Sequence, residues 1–97
     1  MEYTSARELA GLMRSGALSC TELMSATLAR IDAVNPGLNA ICTRVDDETA
    51  LTMAQAMDEK LRSGQATGPL AGLPIAVKDL SATAGIRTTM GSRIFAD

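Results

Sequence analysis

An α/β fold is predicted for this chain: a helical lead-in followed by a βαβ unit. Three features point to it. Two capping boxes near the start are each followed by apolar residues at helical spacing, a third helical pattern stands between two short apolar runs, and glycine and proline punctuate those runs where strands end.

Taken in order, Ser5-Ala6-Arg7-Glu8 has the form of a capping box, and Leu9, Leu12 and Met13 then recur on one helical face. Gly16 is expected to end this first helix. Ser19-Cys20-Thr21-Glu22 repeats the signal. Met24, Leu28 and Ile31 lie at i, i+4 and i+7, Leu23 and Val34 widen the apolar face, and Asn35-Pro36-Gly37 is expected to stop the second helix. Leu38 to Val45 reads as the first strand, because Ile41 and Val45 are β-branched and Pro-Gly precedes the run while acids follow it. Asp46 or Asp47 caps a third helix, with Ala50, Met53, Ala54, Met57 and Leu61 on its apolar face as far as Ser63-Gly64. Gln65 to Gly72 is a linker, and Leu73 to Val77 is the second strand. A crossover of this length makes the two strands parallel, with a right-handed connection.

Composition narrows the function. Apolar content of 46% against 21% charged supplies a core, but Tyr3 and Phe95 are the only aromatics and six methionines fill in, so that core is aliphatic and soft. One domain at most fits in 97 residues. Nine basic against eleven acidic residues, net −2, leave no electrostatic footprint for nucleic acid. No apolar stretch is long enough for a bilayer and no signal peptide opens the chain, so a cytoplasmic location without membrane contact is expected. Cys20 and Cys42 do not form a C-x-x-C pair and are expected as free thiols in that reducing compartment. The complete lack of histidine removes Ser-His-Asp and Cys-His catalysis and the usual zinc sites. The glycines of the linker Gln65 to Gly72 do not form a phosphate-binding loop, since Lys78 follows six residues after Gly72. No cofactor and no metal are expected.

What remains is a lysine. Gly72-Leu73-Pro74-Ile75-Ala76-Val77-Lys78-Asp79 ends an apolar run on Lys78, before a loop rich in Ser, Thr and Gly. A lysine's ordinary pKa of about 10.4 leaves only roughly one molecule in a thousand as free amine at neutral pH, so a basic role needs burial or a nearby cation. The alternative is a solvated lysine at a strand end. Ser81 and Ser92 are the local serines that a Ser-Lys catalyst would use, but Gly91-Ser92-Arg93 lacks the glycines of a nucleophile elbow. Both are read as loop formers, with Thr88, Thr89 and Ser92 bonding backbone around the site. Asp79 is read as tying down the following loop.

The block Gly68-Pro69-Leu70-Ala71-Gly72-Leu73-Pro74-Ile75-Ala76-Val77-Lys78-Asp79, followed by Ala84-Gly85-Ile86-Arg87-Thr88-Thr89-Met90-Gly91-Ser92, resembles the amino-terminal part of the amidase signature family. Glycine, proline, lysine and acid recur there at many fixed offsets. The resemblance implies amide hydrolysis by a Ser-cisSer-Lys triad, in which Lys78 is the base on a bridging serine that activates the nucleophile. Both serines belong to a later Gly/Ser-rich segment that does not occur before Asp97. Residues 1–97 are therefore expected to be a single incomplete domain that is inactive alone, takes a small-molecule amide only in the complete enzyme, and self-associates through uncovered strands. A small α/β module acting by association, with Lys78 merely exposed, is the reading from a different class.

Overall fold

The computed structural model describes residues 4–65, 68–78, 81 and 83–95. Among the described residues three helices account for the regular structure, α1 (Ala6–Ser15), α2 (Cys20–Leu38) and α3 (Asp47–Arg62), with one 3-10 turn at Arg93–Phe95.

The helices begin where their capping residues stand. Ser5 Oγ accepts from the Glu8 amide at 3.2 Å. At α2 both halves of the box form, the Glu22 amide donating to Ser19 Oγ at 2.9 Å and the Ser19 amide to the Glu22 carboxylate at 3.4 Å. Asp46 caps α3 by accepting from the Thr49 amide at 2.7 Å. Each bond satisfies an N–H that has no partner inside its own helix. Gly16 ends α1 at φ 83°, a left-handed turn that glycine adopts without penalty.

Helices α2 and α3 lie antiparallel, since Asp58, late in α3, bonds the first turn of α2. Arg44, in their connection, clips the pair together by reaching Asp32 on α2 and Asp47 on α3. The core is small: Met13 from α1, Cys20 and Leu23 from α2 and Ala54 from α3 are buried, and Leu9, Leu18, Met24, Met57, Leu61 and Leu73 pack around them. Burying one leucine such as Leu23 contributes roughly 2 kcal/mol. Among the described residues, no helix is long and apolar enough to cross a membrane.

The α/β expectation is overturned. Among the described residues there is no strand and no sheet, only an isolated antiparallel bridge between Thr83 and Ile86. The first expected strand, Leu38 to Val45, begins instead as the last residue of α2, which runs through Pro36 and stops at Asn39. Proline removes a single N–H and its fixed φ suits a helix, whereas the left-handed turn is taken by Asn39 at φ 51°. Beyond it the chain is held by a side chain rather than a ladder. Asn35 Nδ2 donates to the Ile41 carbonyl at 3.1 Å, and the Ile41 amide donates to Asn35 Oδ1 at 2.9 Å. The second run, Leu73 to Val77, has no ladder either, and Ile75 is 79% exposed. β-branched character makes a segment fit for a sheet but cannot provide a neighbouring strand. With no strands, the parallel crossover and its βαβ unit fall as well.

Candidate functional site

The segment carrying Lys78 starts where α3 ends. Two consecutive turns follow, the Ala71 amide bonding the Gly68 carbonyl and the Leu73 amide the Leu70 carbonyl, both at 3.1 Å. At their junction Gly72 adopts φ 87° and passes directly over the helical core: a β-carbon there would lie 2.7 Å from Cys20 Sγ and 2.8 Å from Met13 Sδ. Leu73 packs against the same cluster. After the half-buried Pro74 the chain leaves the helices, and Ile75, Ala76, Val77 and Lys78 are all exposed.

Lys78 therefore stands at the open end of an anchored segment. Its carbonyl accepts from the Ser81 amide at 3.0 Å, which starts a turn. Ser92 is committed to local structure, its Oγ accepting from the Ile94 amide at 3.2 Å, and Thr89 Oγ1 accepts from the Gly91 amide at 3.3 Å. Among the described residues no side-chain hydrogen bond joins Lys78 to Ser81 or Ser92. The local serines and the lysine are not brought together as a catalytic pair. Asp79 lies outside the described residues. Two open clefts, of about 660 Å³ beside the Gly68–Leu73 turns and about 610 Å³ between α1 and the end of α3, do not include Lys78 in their walls. No three His, Cys, Asp or Glu side chains converge to hold a metal among the described residues.

A polar group that sequence reasoning missed ties two helices together. Asp58 accepts from the Cys20 amide at 2.6 Å through one carboxylate oxygen, and from the Thr21 amide at 3.1 Å and hydroxyl at 2.6 Å through the other. Burial alone would raise its pKa, but the Thr21 hydroxyl and the Cys20 and Thr21 amides outweigh it and hold the carboxyl below its ordinary value. A signal was available: Ala50, Ala54 and Asp58 follow at i, i+4 and i+8, so an acid falls on the apolar stripe of α3.

The same contact governs the Cys20 thiol. A cysteine in the first helical turn is ordinarily made more acidic by the helix N-terminus. Here burial, followed by the hydrogen bond and negative charge of Asp58, pushes Cys20 up to about 11. Cys20 is 1% exposed, whereas Cys42 is exposed, and both are free. At mildly alkaline pH a thiol reagent is expected to label Cys42 at once and Cys20 only after denaturant is added; mass spectrometry showing equal native labelling would contradict this packing.

A profile of the amidase family matches residues 22–97. The A subunit of glutamyl-tRNA(Gln) amidotransferase from Carboxydothermus hydrogenoformans is 46% identical over 92 residues, covering 95% of this chain and 19% of that protein. The protein of the same name from Streptomyces avermitilis is 48% identical over 90 residues, 93% of this chain and 18% of the relative. That from Salinispora arenicola is 50% identical over 92 residues, 95% of this chain and 18% of the relative. The chain spans about a fifth of the length of these curated relatives.

Proposed function

The chain belongs to the amidase family, and we propose that it supplies the lysine base, Lys78, of an amide-hydrolysing site whose two serines come from sequence outside these residues. The observation that carries this reading is the position of Lys78. It lies within the stretch of densest family resemblance, on a segment seated on the helices at Gly72 and Leu73 and open from Ile75 to Lys78. In the proposed site the amine of Lys78 takes a proton from the bridging serine, which takes one from the nucleophilic serine as its oxygen attacks the amide carbon. The proton is passed on to the amide nitrogen as the carbon–nitrogen bond breaks, so ammonia or amine leaves. Water then attacks the acyl-enzyme, gives up a proton to the same relay, and the relay returns that proton to the nucleophilic serine as the ester bond breaks.

The relatives carry the name of one subunit of an amidotransferase, and we assign this chain the same kind of role: part of an amidase-type polypeptide that works with protein partners on a small-molecule amide, in the cytoplasm and without a cofactor. The segment itself, at net charge −2, is not a nucleic-acid surface.

The test compares the 97-residue chain with the longer protein that contains it, by ammonia release from glutamine, asparagine and benzamide. The longer protein is expected to hydrolyse at least one of them and the short chain none, because a lysine without an activated nucleophile or an oxyanion hole lacks the contributions that supply most of the rate. Ammonia release by the short chain that disappears with Lys78→Ala would overturn the division of the site. In sedimentation the short chain is expected to self-associate through the exposed apolar residues Ile75, Val77 and Ile94, and a monomer at high concentration would count against that.

A further inference from the structure

We propose that Gly72 is a positioning residue for Lys78: its bare α-carbon seats the lysine segment on Cys20 and Met13, and this contact sets where the base stands. The proposal rests on the reading of Lys78 as the base. Two independent features make the position intolerant. At φ 87° a side chain is strained whatever the space around it, and a β-carbon would stand 2.7 Å from Cys20 Sγ and 2.8 Å from Met13 Sδ.

Which partner yields decides the consequence. The Met13 thioether lies toward the end of a flexible side chain and can swing aside. Cys20 cannot. Its side chain is short and fully buried, and its own amide is pinned by Asp58 at 2.6 Å in the first turn of α2. The glycine loop must therefore move, opening that contact from 2.7 Å to at least 3.4 Å. Beyond it the segment touches the helices through Leu73, and from Ile75 to Lys78 it is exposed. A shift at Gly72 is consequently passed along the stiff Leu73-Pro74 step to the lysine instead of being absorbed against the helices. Displacing a reacting group by about 1 Å costs on the order of a hundredfold in rate.

The experiment measures kcat and KM for ammonia release by the longer protein, with whichever primary amide it hydrolyses, well below its melting temperature. Gly72→Ala is expected to lower kcat by about 10- to 100-fold while KM stays within about twofold, since a misplaced base affects the chemical step and not ground-state binding. Adding Cys20→Ala, which removes the obstructing sulfur, is expected to recover the part of that loss that comes from the contact, while the strain at φ 87° remains. Gly11→Ala on α1, where a β-carbon meets nothing within 4 Å, serves as the control and leaves kcat unchanged. Should Gly72→Ala not fold, Cys20→Val presses on the same contact from the helix side and is expected to give the same split.

A folded Gly72→Ala protein with normal kcat overturns the proposal, and so does a kcat loss that Cys20→Ala leaves untouched. Loss of activity in Lys78→Ala together with normal kcat in Gly72→Ala overturns this inference alone, whereas a fully active Lys78→Ala overturns the base assignment and this inference with it.

Discussion

Replacing Lys78 with alanine in the longer protein is expected to abolish amide hydrolysis, lowering kcat by roughly three orders of magnitude or more while the melting temperature stays within a few degrees. Acid-base assistance alone is worth about 10²- to 10⁴-fold, and here the same group starts the relay that makes the nucleophile. Stability is spared because the bond that Lys78 makes to the Ser81 amide comes from its backbone carbonyl, which alanine keeps. Lys78→Arg gives the sharper result. Arginine preserves the positive charge and much of the length, but it does not release a proton in a protein, so an arginine variant is expected to be as inactive as alanine. An arginine variant with near-normal turnover would mean that Lys78 acts through its charge, and the base assignment would be wrong.

The helices were legible because every signal they need is local. Ser5, Ser19 and Asp46 stand three residues before the amides they cap, and the apolar face of each helix repeats within the segment itself. The two apolar runs misled for the opposite reason. Ile41, Val45, Ile75 and Val77 have the branching that a sheet accommodates, yet a strand exists only if another strand lies beside it, and the described residues hold none. The end of α2 misled on a finer point. Asn35-Pro36-Gly37 has the composition of a stop, but the helix continues through it to Leu38, and the next residue, Asn39, takes the left-handed position. Lys78 was singled out by the pattern around it, and its role as base is what the Lys78→Ala and Lys78→Arg variants test. What holds its segment in place was not legible there, because the Gly72 contact joins residues some fifty positions apart and only the folded chain brings them together.

That contact and the Asp58 cap meet at one residue. Cys20 offers its sulfur to the space above which Gly72 passes, and its amide to the carboxylate that ties α3 to α2. The buried thiol is thus a joint: the helical pair is held on one side and the lysine segment rests on the other. In this arrangement the lead-in helices are a platform for the signature segment, which accounts for a glycine standing six residues before the lysine.

Asp58→Ala is accordingly expected to cause the largest loss of stability of any polar substitution in this chain, about 2 to 3 kcal/mol, a figure that allows for partial solvation of the carboxylate. It removes three acceptor contacts at once and leaves the Cys20 amide, in a buried first turn, without its partner. The carboxylate also faces the positive end of α2, where a negative charge is favourable. Thr21→Val deletes one of the three bonds and is expected to cost about 1 kcal/mol, with the double variant losing less than the sum, since both changes remove the same bond. The pH dependence has a definite sign. The folded-state pKa of Asp58 is depressed, so its contribution is fully present above the ordinary carboxylate value of about 3.9 and is lost as the pH falls through the lower folded value. Urea unfolding as a function of pH measures this, and the acid limb is expected to flatten in Asp58→Ala. Native thiol labelling reads the same event locally: fraying of α2 should open Cys20 to reagent in the variant, and Cys20 that stays protected with unchanged stability would show that the Ser19 box alone holds the start of α2.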